Sequence, residues 1–135
     1  MAKTFRLEIV TPERNVLTLD AVSVVAPGVE GYIGILADHA PLISELALGK
    51  VTVKDESGNE TLLAISGGFM EVRSNEVRIL ADSAELSDEI DITRAQEAVK
   101  RAEARLRETA AHVDHARAEA ALERAINRLR VARGE

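Results

Sequence analysis

Between positions 4 and 10 apolar and charged residues alternate, with Phe5, Leu7 and Ile9 on one side and Arg6 and Glu8 on the other. That period of two marks a strand buried on one face. Thr11-Pro12-Glu13 interrupts it, and short apolar runs then recur at 16–19, 22–25, 32–36, 42–48, 51–54, 61–65, 69–72 and 77–80. Turn formers stand among them: Pro27-Gly28, Gly49-Lys50, the polar stretch 55–59, Gly67-Gly68 and Ser74-Asn75. Short strands punctuated at such intervals predict an all-β sandwich or barrel of antiparallel strands. Gly67-Gly68 is expected at a strand kink or a close backbone approach.

Beyond Ala81 the period changes. Residues 82–89 are polar and acidic and read as a linker or hinge. Ile92, Ala95, Val99, Ala102 and Leu106 then recur at alternating spacings of 3 and 4, the seam of a packed helix. Asp91 is placed to cap it. A break over 109–113 leads to a second candidate cap, Asp114, and a second stripe through Ala118, Ala121 or Leu122, Ala125, Leu129 and Ala132, widened by Ile126. The prediction is therefore a β domain over 1–86 and a two-helix hairpin over 87–135. Alanine seams let helices approach closely, but they bury little area, and burial stabilises by only about 25 cal/mol per Å². A hairpin held so weakly is suited to changing partners.

Charge sharpens this division. The first 90 residues carry 7 Lys/Arg against 15 Asp/Glu, whereas 91–135 carry 10 against 8. An acidic β domain followed by a basic hairpin points to interaction more than to catalysis. The overall charge of −6 argues against nucleic acid as the general partner. There is no cysteine, which excludes disulfides, thiolate metal sites and a Cys nucleophile. No apolar run approaches the roughly 18 residues needed to span a bilayer.

Nine of the ten basic residues in 91–135 are arginine, whose planar fork suits phosphate or carboxylate. Arg117, Arg124 and Arg128 share one helical face, and Arg94 and Arg101 are likewise seven residues apart. Converging rows of arginine and ordinary solvated faces are both compatible with that spacing. His112 and His115 flank Asp114, too few ligands to define a metal centre. No Ser–His–Asp order, phosphate-cradling loop or isolated carboxylate pair suggests an independent active site.

Several segments, in order, resemble the epsilon subunits of the F-type rotary ATP synthases. They are 7–12 (LEIVTP), 31–42 (GYIGILADHAPL), 66–72 (SGGFMEV), 77–81 (VRILA), 90–95 (IDITRA) and 124–132 (RAINRLRVA). The resemblance implies a ten-stranded β-sandwich docked on the gamma subunit and the membrane ring of c subunits, followed by two C-terminal helices. It implies a non-catalytic rotor subunit, peripheral at the cytoplasmic face of a bacterial plasma membrane. It also gives the arginines a meaning, because several members bind ATP through a segment of the form I/L-D-x-x-R-A with downstream arginines. Ile90, Asp91, Arg94 and Ala95 match that segment, and Glu85, Arg101, Arg117, Arg124 and Arg128 match the accompanying positions. Bound ATP, with or without Mg²⁺, would hold the hairpin folded. An extended hairpin would meet the alpha/beta catalytic head and inhibit hydrolysis.

The family's ring-facing loop commonly reads G-E-x-G-I-x-P-G-H-x-P-L. This chain has Tyr32 at the acidic position and Ala37-Asp38 in place of Pro-Gly, while His39 and Pro41 are kept. Tyr32 and His39 are the expected ring contacts. The rival reading is a stand-alone binding module whose basic hairpin engages an acidic protein.

Overall fold

The computed structural model describes residues 2–108 and 114–135. Contacts divide the chain into two compact units, Met1–Leu86 and Ser87–Glu135.

The first unit contains seven strands: β1 (Phe5–Val10), β2 (Asn15–Gly28), β3 (Gly31–Leu36), β4 (Leu42–Asp55), β5 (Glu60–Arg73), β6 (Glu76–Ala81) and β7 (Ala84–Leu86). β1 pairs antiparallel with β2 and parallel with β6. Since β2 pairs with β4, β4 with β5 and β5 with β6, five strands close into a hydrogen-bonded ring. β3 flanks β2 and β7 flanks β5. The all-β class is the one predicted, but the count is seven, and one pairing is parallel.

The difference in count has a physical cause. β2, β4 and β5 are each 14 residues long and run through positions that read as breaks in the sequence. Counting each of these strands twice recovers ten. Pro27-Gly28 does end β2, whose two apolar runs are continuous through Asp20-Ala21; Gly49-Lys50 lies inside β4, and Gly67-Gly68 lets β5 kink without leaving its partners. At Gly68 φ is +140°, and an added Cβ would sit 2.1 Å from the Leu80 carbonyl oxygen. The expected linker also proved partly ordered. Ala84 pairs with Ile65, and the Ser66 and Ser83 hydroxyls lie 2.6 Å apart. The acidic neighbours of Ala84 and Leu86 hid a short edge strand.

Alternation builds the core. Leu7, Ile9, Val24, Val51, Val53, Leu63, Met70 and Ile79 are essentially inaccessible. Of the three aromatic residues only Phe5 is buried; Phe69 and Tyr32 are 53% and 61% exposed.

Asn75 ties one end of this unit together. Ser74 and Asn75 have φ of 52° and 58° between the paired Arg73 and Glu76, a two-residue turn whose twist matches the flanking strands. The Asn75 Oδ1 accepts from the Asp38 N–H at 2.8 Å, and its Nδ2 donates to the Thr4 carbonyl at 2.9 Å. Asp38 itself has φ of 60° and is paired with Lys3 at 2.7 Å. The Lys3 ammonium is held above its ordinary pKa, first by the hydrogen bond to Asp38 and then by that carboxylate's charge. Asn75→Ala should lower stability by about 1–3 kcal/mol, from lost hydrogen bonds and a strained turn. Asn75→Gly should recover only the backbone share. Urea unfolding of both variants checks this, and equal stability of Asn75→Ala and the native chain would contradict it.

In the second unit, a single 3₁₀ turn (Ser87–Glu89) precedes α1 (Ile92–Arg107) and α2 (His115–Ala132). Asp91 and Asp114 cap them, accepting from the Arg94 and Arg117 N–H groups at 3.0 Å each. Gly134, at φ of 74°, ends α2: its N–H reaches the Val131 carbonyl and the Glu135 N–H reaches that of Arg130. These are the bonds of a Schellman motif. Ala95, Ala102, Ala118, Ala125 and Val131 are buried, so the seam is as alanine-rich as predicted, with Val131 the innermost residue near its end. The expected break over 109–113, including His112, lies outside the described residues.

Candidate functional site

Within the helical unit, Ala98, Ala102, Ala118 and Ala121 floor a cleft of about 540 Å³ between α1 and α2. Small side chains leave this space because they do not fill the gap between two backbones. Arg101, Arg105, Asp114 and Arg117 complete its lining. Arg101 and Arg105 are one turn apart on α1, where like charges repel. Among the described residues none of these three arginines forms a salt bridge. Three guanidinium groups and the Asp114 carboxylate thus border an apolar floor, a local excess of positive charge.

The residues expected to bind nucleotide fall into distinct places. Arg101 and Arg117 share the cleft, joined by Arg105, which the matched positions do not include. Arg94 stands in the first turn of α1, seven residues from Arg101 and hence about 10 Å along the axis. Antiparallel packing sets that end of α1 level with the later part of α2, which carries Arg124 and Arg128. Ile90 and Ala95 are 7% and 0% exposed and hold the segment in place. Asp91 commits one carboxylate oxygen to the cap. Glu85 lies on β7, in the other unit.

Tyr32 and His39 are not brought together. Tyr32 is the second residue of β3, and its hydroxyl accepts from the Lys50 N–H at 3.3 Å. His39 follows the far end of β3 and donates from Nδ1 to the Ala40 carbonyl at 2.7 Å. From Tyr32 to Leu36 alone the strand advances about 13 Å. Asp38 adopts a left-handed backbone, and the Asn75 side chain and Lys3 both converge on it.

Sequence reasoning missed a second surface. On the outward side of β4, β5 and β6, Glu45, Phe69 and Leu80 are cross-strand neighbours, as are Ile43, Glu71 and Arg78. Ile43, Phe69 and Leu80 are 75%, 53% and 45% exposed. Charges beside them are paired, Arg78 with Glu8 at 3.7 Å and Arg73 with Glu71 at 3.9 Å. Leu80 was legible in principle, because it occupies the charged side of the alternation in β6. These exposed apolar groups set among paired charges form a candidate docking face. No three His, Asp or Glu residues among those described gather as metal ligands. No described helix is long and apolar enough to cross a membrane.

Comparison with known proteins agrees with this two-part plan. Residues 4–87 match the family described as ATP synthase, Delta/Epsilon chain, beta-sandwich domain, and 88–133 match its long alpha-helix domain. The chain is 53% identical over 105 residues to the ATP synthase epsilon chain of Moorella thermoacetica, covering 78% of each. It is 52% identical over 106 residues to that of Carboxydothermus hydrogenoformans, again covering 78% of each. A chain of the Euglena gracilis mitochondrial ATP synthase superposes with a TM-score of 0.79 at 27% identity, covering 91% of this chain and 78% of that one. The β ring, the alanine-seamed hairpin and these matches agree: the chain belongs to the ATP synthase delta/epsilon family, as one of the epsilon chains, non-catalytic subunits of the central stalk of the F-type enzyme.

Proposed function

We propose that the β unit couples the gamma subunit to the membrane ring of c subunits, and that the helical hairpin is a nucleotide-sensitive brake. The observation that carries the brake is the cleft with three unpaired arginines on an alanine floor. A nucleoside triphosphate suits it: phosphates take charge-assisted hydrogen bonds from Arg101 and Arg117, and the small floor admits a base or ribose. Arg94, Arg124 and Arg128 extend the basic surface toward the other end of the hairpin. Mg²⁺ would enter with the phosphates. The exposed row of Ile43, Phe69 and Leu80 supplies the face for a rotor partner, and the segment around His39 supplies the ring contact.

ATP binding to the folded hairpin alone would shift its equilibrium, at 100 times the dissociation constant by about 2.7 kcal/mol. A hairpin with so little buried seam responds to a bias of that size. When it opens, its basic helices meet acidic surface on the alpha/beta head and stop hydrolysis. The complex would hold the chain peripherally at the cytoplasmic face of the plasma membrane. Two measurements test this. Calorimetric titration of the full chain with ATP, with and without Mg²⁺ and against GTP, should show selective saturable binding. Removal of 87–135 from the assembled enzyme should raise ATP hydrolysis. Absence of binding at millimolar ATP would reduce the arginines to partner contacts, and unchanged hydrolysis in an inhibited preparation would remove the brake.

A further inference from the structure

The two sides of the cleft are joined by a hydrogen bond that the nucleotide-site motif does not contain. α1 ends at Arg107, and its C-cap Glu108 turns to extended backbone while its N–H still reaches the Arg105 carbonyl at 3.2 Å. With its backbone extended, Glu108 can offer its carbonyl to a donor outside α1. His115, the first residue of α2, supplies one: its Nε2 lies 2.6 Å from that oxygen. A carbonyl only accepts, so the ring carries its proton on Nε2. Next to it, Asp114 holds the Arg117 N–H. A short run of bonds thus leads from Arg105, through the Glu108 backbone and the His115 ring, to the start of α2 where Arg117 stands.

We infer that His115 is a positioning residue, a latch that sets the first turn of α2 against the end of α1 and so preorganises Arg117 opposite Arg101 and Arg105. Three guanidinium charges against the single Asp114 carboxylate resist this arrangement, and the nearby seam residues Ala102 and Ala118 bury little area with which to oppose them. A ring-to-carbonyl bond across the connection therefore has disproportionate influence. A ligand entering an already assembled cleft avoids the cost of assembling it. The inference rests on the nucleotide-site reading for its effect on affinity, but its effect on hairpin geometry stands apart from that reading.

The test uses the full chain with His115→Phe, which keeps a ring and removes the donor, and His115→Gln, which restores an N–H at a comparable reach. His115 is exposed, so neither variant disturbs a core. Spin labels at Ala104 and Glu119, both exposed, report the separation of the helices near the connection. His115→Phe should broaden the label distance distribution and weaken ATP binding by about 2–10-fold. His115→Gln should match the native chain in both. An unchanged distribution in His115→Phe, or a Gln variant behaving like Phe, overturns the latch. If the native chain binds no ATP, the nucleotide reading fails and the label distances alone decide the latch. If it binds and the Phe variant binds equally, the latch fails alone.

Discussion

Replacing Gly68 with alanine should destabilise the β unit by roughly 3 kcal/mol or more, at the upper end of single substitutions. Two costs combine. The backbone there has φ of +140°, a region closed to side chains. The new Cβ would also stand 2.1 Å from the Leu80 carbonyl oxygen and 2.8 Å from the Ala81 Cα, both backbone atoms. β6 would have to leave β5, and β6 carries the fully buried Ile79 and closes the ring onto β1. Gly67 isolates the first cost. Its φ is +116°, but its added Cβ would come no nearer than 3.1 Å, to an Asp82 side-chain oxygen, so Gly67→Ala should cost about 1–2 kcal/mol. Urea unfolding of the two variants separates strain from collision. A Gly68→Ala chain within about 0.5 kcal/mol of native stability would show that the kink is not the fixed point of this unit.

Joint replacement of Arg101 and Arg117 by alanine should weaken ATP binding about a hundredfold or more. Charge-assisted hydrogen bonds contribute about 1.5–3 kcal/mol each, and these two residues face one cleft from different helices. Folding stability should hold or rise slightly, since neither arginine neutralises a carboxylate and both belong to a like-charged group. That opposite movement is the signature of a binding role, because a structural arginine would lose stability when removed. Calorimetric titration and thermal unfolding on the same preparations give both readouts. Unchanged affinity would exclude the cleft as the nucleotide site, whatever binds elsewhere on the hairpin.

The hairpin and the β unit also differ in how they are stabilised. The β unit buries long aliphatic side chains from nearly every strand, whereas the helical unit buries four alanines and one valine among its two helices. Two N-caps and a Schellman ending supply much of what holds the helices individually. Each helix is therefore well specified by its own sequence, while the pairing of the two is weakly held. That is the distribution expected of an element that keeps its helices and exchanges their partner.

Local pattern by itself determined the all-β class of the first unit, the two helices and their caps. Alternation along β1 and β6, the seam through Ala95 and Ala102, and the aspartates at 91 and 114 are properties of adjacent residues, so the sequence displays them directly. The ordered segments from 7–12 to 124–132 carried the family in the same way. Continuity of strands was decided elsewhere. Gly49 and Gly67-Gly68 are local breakers and Asp20 interrupts the apolar run of β2, but hydrogen bonds from strands distant in sequence run past them and make three long strands. Only the closed ring revealed that Phe69 and Leu80 face outward together and that Tyr32 and His39 lie toward opposite ends of β3. Likewise, only the packing of α1 on α2 added Arg105 to the cleft and brought the His115 ring to the Glu108 carbonyl. Periodicity is set over a few residues, whereas register and closure depend on which distant segments meet, and the second kind of information exists only once the chain has folded.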